Sequence, residues 1–195
     1  MNETSLSLLQ RVRHDSAAPD WRRFTELYEP LIRGWLRRKD CLGHDADDVV
    51  QNILAVIVRR LDDFEHNGRT GAFRAWLRTI TVNCLRDHWR ANRSRPVGAG
   101  GSDMQEMIAQ LEDPESNLSR VWNEEHDRHV MRKLLEFLRD EFEPRTWQAF
   151  QRFALDDVPA SDVAKELEMT PNAVFIAKSR VLARLRQESA GLLDE

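Results

Sequence analysis

Cysteine is nearly absent from this chain of 195 residues, with Cys41 and Cys84 the two present, which excludes a disulfide-stapled secreted scaffold. Glycine (8) and proline (7) are sparse, so neither a fibrous repeat nor a loop-built fold fits. Long apolar runs are missing, as is a charged-then-apolar leader, so export and membrane insertion are disfavoured and the cytoplasm is the expected location. Alternation of β-branched residues is missing too, and no strand is expected. What is present is 41% hydrophobic and 32% charged residues, enough apolar material for a core. Apolar residues recur at three and four residue spacings almost everywhere, and the expected fold class is all-α.

Net charge is −4, which by itself counts against a polyanionic partner. The total hides a segregation. From Arg69 to Arg95 seven arginines face one acid, Asp87, whereas Asp103 to Glu125 holds seven acids and the single cation Arg120. Local fields decide binding, so the arginine-rich segment remains a candidate phosphate-binding surface.

A short helix is predicted near 5–13. Asp20 is a candidate cap for a helix to about Lys39, His44 or Asp45 opens another to about Phe64, and Thr70 opens a third to about Asn92. The stretch Ser94-Arg-Pro-Val-Gly-Ala-Gly-Gly-Ser102 and the acidic residues after it read as a flexible linker without an apolar period. Two helical domains are therefore expected, residues 1–93 and 119–195, joined by a flexible linker over 94–118. In the second, a long helix runs from after Pro114 to about Asp140, and shorter ones begin near Pro144, Pro159 and Pro171.

Pro159 to Leu167 and Pro171 to Gln187, separated by Glu168-Met169-Thr170, have helix-turn-helix spacing. At about 100° per residue, Val174, Val181 and Leu185 face inward and Asn172, Phe175, Ile176, Ser179 and Ala183 outward. Lys178, Arg180, Arg184 and Arg186 flank that outer face and suit the phosphates beside a major groove. In the helix from Thr70, Phe73, Leu77, Ile80 and Cys84 form a core stripe. Trp76, Thr79, Asn83, Arg86, Asp87 and Arg90 occupy an arc of about 100° beside it. An aromatic, amide, hydroxyl and guanidinium face suits single-stranded nucleic acid, although Trp76 equally fits a half-core role and Asp87–Arg90 an intrahelical ion pair. The polar loop Asp63 to Gly71 before it is a candidate receptor for an unstacked base, or a plain connector.

Asp45, Asp48, Gln51 and Asn52 form a polar patch opposite Val49, Ile53, Val56 and Ile57, suited to a basic partner protein. The alternative use of His44, Asp45, Asp47 and Asp48, with Cys41 or His66, as a metal-dependent hydrolase site lacks a second ligand pair at suitable spacing. A stand-alone helix-turn-helix regulator is the other alternative, and it leaves the Trp76 face unused.

Asp45-Ala-Asp-Asp-Val-Val-Gln-Asn-Ile-Leu, Phe73-Arg-Ala-Trp-Leu-Arg-Thr-Ile-Thr-Val-Asn and the terminal helix-turn-helix, in this order, resemble a bacterial sigma-70 family RNA polymerase sigma factor of the small extracytoplasmic-function type. Pro144-Arg-Thr-Trp-Gln-Ala-Phe and Ala177-Lys-Ser-Arg-Val-Leu-Ala-Arg-Leu further resemble a subgroup common in planctomycete-type bacteria. The resemblance implies a factor that is not an enzyme, takes no cofactor, and directs RNA polymerase to promoters and helps open them. Asp45, Asp48, Gln51 and Asn52 would dock on the clamp helices of the β′ subunit, with the β flap as a second contact. His66, Asn67, Arg74, Trp76, Thr79, Asn83, Arg86, Asp87 and Arg90 would bind the minus-ten element. Asn172, Phe175, Ile176, Lys178, Ser179, Arg180 and Arg184 would read the minus-thirty-five duplex. The linker would thread toward the polymerase active centre, and an anti-sigma protein is a further candidate partner. Two departures stand out: Glu168 occupies the turn position usually held by glycine, and Phe175 and Ile176 replace residues that are usually polar.

Overall fold

The computed structural model describes residues 7–14, 18–38, 42, 45–65, 69–91 and 101–193. Among them the chain forms α1 (Leu8–His14), α2 (Ala18–Arg38), α3 (Ala46–Arg60), α4 (Ala72–Ala91), α5 (Gly101–Glu112), α6 (Asn117–Arg139), α7 (Pro144–Phe150), α8 (Ala160–Glu166) and α9 (Pro171–Ser189). A single π-helical turn, Gln151–Leu155, extends α7. No strand occurs among the described residues, as the missing alternation predicts; an isolated bridge between Ala190 and Leu193 is the only extended pairing there.

The first three long helices pack through the stripes expected of them. Phe24, Leu27, Tyr28, Ile32 and Leu36 of α2, Val50, Ile53 and Ile57 of α3, and Phe73, Leu77 and Leu85 of α4 are buried together. Asp20 does not cap α2. It lies inside the first turn, and its carboxylate accepts from Arg11 Nε at 2.9 Å.

The linker expectation is corrected in part. Within 94–118 the chain forms α5, with Met104, Met107, Ile108 and Leu111 buried against α4 and α6. Their spacing of three, four and seven residues is a helical apolar stripe hidden by the glycines before it and the acids around it. Burying four such side chains contributes on the order of 1.5–3 kcal/mol each, before the entropy of ordering the segment is subtracted.

One apolar cluster runs from α1 through α6 to Val181 and Leu185 of α9, so the two halves share a continuous core. Trp35 and Trp122 meet edge to face at 4.9 Å on the α2–α6 seam. A second, smaller cluster, Ala149, Val163, Ala164, Val174 and Ala177, joins α7, α8 and α9. There Thr170 caps α9 as its position predicts, its hydroxyl accepting from the Ala173 amide at 3.2 Å. Glu168, where glycine is usual, adopts φ +50°, a left-handed conformation that costs a non-glycine residue about 1 kcal/mol.

Leu111 is 1% exposed, and Leu111→Ala is expected to lower stability by about 2–5 kcal/mol in urea unfolding of the full chain. A change under about 0.5 kcal/mol, typical of surface positions, would place α5 outside the folded core.

Candidate nucleic-acid interface

Phe73 sits inside a cluster of rings. Phe24, Tyr28, Phe64 and Trp76 lie with centroids 6.3, 5.5, 5.3 and 5.4 Å from it. Trp76 also tilts on Phe64 at 5.3 Å. Both readings of this tryptophan are therefore partly right: it is half-buried, held on one side by core rings and open on the other.

Its open side lines a depression together with Asp63, Phe64, Glu65, Arg69, Thr70, Gly71, Ala72, Ala75 and Thr79. Residues 63–65, residues 69–71 and the first two turns of α4 thus make one surface. Gly71 shapes the corner: it has φ +77°, and a Cβ there would stand 2.6 Å from Nε of Arg74. His66 and Asn67 lie outside the described residues.

Further along the arc, Thr79, Asn83, Asp87 and Arg90 are exposed. The Asp87–Arg90 pair is 3.8 Å apart with both side chains well exposed, which makes it weak and readily exchanged for a phosphate. Arg86 is half-buried and pairs with Glu112 at the end of α5. Arg74 does not join the Trp76 face. It sits on the opposite side of α4, where its guanidinium pairs with Asp127 of α6.

That contact belongs to a relay binding α2, α4 and α6. Tyr28 is fully buried, and burial, reinforced by the Asp127 charge, holds its hydroxyl well above the ordinary phenol value, so it stays a donor. His126 Nδ1 lies 2.9 Å from Asp127, and its Nε2 lies 3.4 Å from the Tyr28 hydroxyl. Nδ1–H donates to the Asp127 carboxylate, and Nε2 faces the Tyr28 hydroxyl. Burial alone would raise the Asp127 carboxyl, but the His126 hydrogen bond and the Arg74 guanidinium outweigh it and hold the group below its ordinary value.

On α3, Asp48, Gln51 and Asn52 are exposed along one side. Asp45 is half-buried and lies 3.3 Å from His88 Nε2, and Asp47 pairs with Arg33 and Arg37 of α2. No group of three or more His, Cys, Asp or Glu side chains among the described residues is placed to hold a metal; Cys41, His44 and His66 lie outside them. Burial, aided by Asp87, pushes the Cys84 thiol up to about 11, so it carries no thiolate near neutral pH.

On α9, Asn172, Phe175, Ile176, Ser179, Arg180, Ala183 and Arg186 are exposed along one arc, while Val174, Ala177, Val181 and Leu185 are buried. Two expected phosphate contacts have intramolecular partners. Lys178 holds its ammonium 4.9 Å from the centroid of Phe153, and Arg184 donates to Glu141 at 2.8 Å and pairs with Glu188. Phe153 was not singled out in the sequence, because only the π-helical turn after α7 brings its ring beside α9.

Residues 24–95, from α2 past the end of α4, match a family model described as Sigma-70 region 2. No curated protein and no solved structure matches the chain. The matched stretch contains the ring cluster, the Trp76 depression and the polar side of α3. The matched stretch is similar to region 2 of sigma-70 family factors, a domain that indicates promoter recognition and transcription initiation by RNA polymerase. No helix among the described residues is long and apolar enough to cross a membrane.

Because the folded Asp127 carboxyl titrates below its unfolded counterpart, its stabilising contribution is complete above the ordinary carboxylate range and is lost as pH falls through that range. Unfolding free energy measured from pH 7 down to about pH 3 is expected to fall more steeply for the parent than for Asp127→Asn. Parallel curves would show that the relay contributes no acid sensitivity.

Proposed function

We propose that this sigma factor works as two helical modules, residues 1–93 and 119–195, on one promoter. It is read as an extracytoplasmic-function type of the planctomycete-like subgroup, acting in the cytoplasm. In this reading Asp45, Asp48, Gln51 and Asn52 dock on the β′ clamp helices. The Trp76 depression captures a minus-ten base as the strands part, and the outer arc of α9 reads the minus-thirty-five duplex. The observation that carries it is Trp76 itself, braced by Phe64 and Phe73 and lining a depression with Asp63, Glu65, Arg69 and Thr70. Flipping a base out of the duplex costs a few kcal/mol, and stacking on an aromatic returns about 1–3 kcal/mol for each base.

Charge supports the same reading. Two α4 arginines of the minus-ten set, Arg74 and Arg86, are held by carboxylates of the α5–α6 stretch, Asp127 and Glu112. The Glu112 carboxylate stands where a phosphate beside the Trp76 arc would, and single-stranded DNA competes with it for Arg86, whereas Arg74, on the other side of α4, stays with Asp127. An apolar groove on α6 and α7, lined by Met131, Leu135, Trp147 and Leu155 with Arg128 and Arg139 at its rim, suits the β flap. An anti-sigma protein would compete for these same surfaces.

For both modules to engage promoter DNA at once, the seam between them must open. Its polar part is a network in which Glu188, 3% exposed, accepts from both terminal guanidinium nitrogens of Arg11 at 2.9 and 3.1 Å and pairs with Arg184. Glu141 bridges Arg184 to Arg23.

Run-off transcription with purified core polymerase is expected to yield defined start sites on genomic DNA; no initiation at any site would overturn the proposal. Trp76→Ala is expected to lower permanganate reactivity of the opened strand at least fivefold, with little change in gel-shift affinity for closed duplex. Equal losses in the two assays would remove Trp76 from strand capture. Arg180→Ala is expected to weaken binding to upstream duplex and to reduce the slope of log affinity against log salt by about one. An unchanged slope would mean that Arg180 touches no phosphate.

A further inference from the structure

We propose that α9 selects thymine-bearing upstream duplex through an apolar patch, Phe175 and Ile176, that meets thymine C5-methyl groups in the major groove. The proposal rests on the reading of the second half as a duplex-binding module and names the base edge it seeks.

Phe175 and Ile176 are 52% and 50% exposed, and they are neighbours on α9, whereas the other exposed large apolar side chains among the described residues, Val58, Val121, Met131 and Leu155, lie on other elements. They lie in the first two turns of α9, the part of a helix-turn-helix recognition helix whose side chains reach base edges. Both share the outer arc with Asn172, Ser179 and Arg180, so cations and amides surround the apolar patch. That mixture fits a groove floor between phosphates better than a protein partner, which would favour a wider apolar surface.

Phe175 is also braced. The Phe153 ring meets it at 5.2 Å and 89°, edge to face, and the Lys178 ammonium sits 4.9 Å from the same Phe153 ring. A ring held this way has little rotamer freedom left to lose on binding, which favours its use as a reader.

Base chemistry supplies the selection. In the major groove thymine alone presents a methyl group. Every base edge also carries donors or acceptors, thymine its O4, so the methyl is the one feature there that phenyl and sec-butyl groups can match. Asn172, about one turn earlier on the same arc, carries the amide that pairs bidentately with adenine. Adjacent A·T pairs therefore suit the whole arc.

The test uses the full chain bound to core polymerase and randomised upstream duplex fused to a fixed downstream segment. Selected duplexes are expected to share thymines at fixed upstream positions. Replacing those thymines with deoxyuridine, which deletes only the methyl, is expected to lower affinity about fourfold per contacted base, the equivalent of one buried CH2 group. Phe175→Ser and Ile176→Ser are expected to bind the thymine duplex several-fold more weakly and to respond less to deoxyuridine, with Phe175→Leu recovering part of both effects. Because both side chains are half exposed, serine at either position leaves the core intact, and helical circular dichroism should be unchanged. Absence of a shared thymine, equal affinity for the two duplexes, or serine variants that lose core polymerase rather than upstream DNA would overturn the inference. The first two outcomes leave the proposed function standing if run-off transcription succeeds. Failure of run-off transcription removes the proposed function itself.

Discussion

The Phe73 ring is the contact on which the first half of the molecule depends. It meets Phe24 and Tyr28 of α2, Phe64 at the end of the α3 segment and Trp76 one turn ahead on α4. Offset and edge-to-face ring pairs add roughly 0.5–1.5 kcal/mol each beyond area burial, so one side chain fixes three helical segments relative to one another. Trp76 then needs no separate support. Its position beside Asp63, Glu65, Arg69 and Thr70 follows from the packing beneath it.

Charge is arranged on a similar economy. Arginines of α4 are held by acids drawn from the α5–α6 stretch, as in Arg74 with Asp127 and Arg86 with Glu112. The more buried network around Glu188 is different in kind. A carboxylate 3% exposed between Arg11 and Arg184 is well satisfied while the halves are together, and separating them must rehydrate all three charges. Exposed pairs such as Asp87–Arg90 exchange partners at little cost, whereas this one resists opening.

Several features were legible from residue order because they are local. The Thr170-Pro171 start of α9, the left-handed cost at Glu168, the buried stripe of Phe73, Leu77, Ile80 and Cys84, and the outward placement of Phe175 and Ile176 follow from capping chemistry, backbone sterics and the 3.6-residue period. The stripe of Met104, Met107, Ile108 and Leu111 obeys the same period, but glycines and acids around it masked the helix as a linker. Asp20 has the right residue type for a cap and is drawn instead to Arg11.

Sequence by itself determined the all-helical class, the order of the helices and which side of each turns inward, since helical periodicity needs no knowledge of neighbours. Tertiary structure alone decided which cations face solvent and which meet a carboxylate, because Arg74 and Asp127, or Arg184 and Glu141, are far apart along the chain and meet only once α2, α4, α6 and α9 have packed. It also decided that Trp76 is braced from below and open above, and that Phe153 reaches Phe175. Apolar burial is set by a residue's own helix, whereas pairing depends on the distance between helices, which only the assembled core defines.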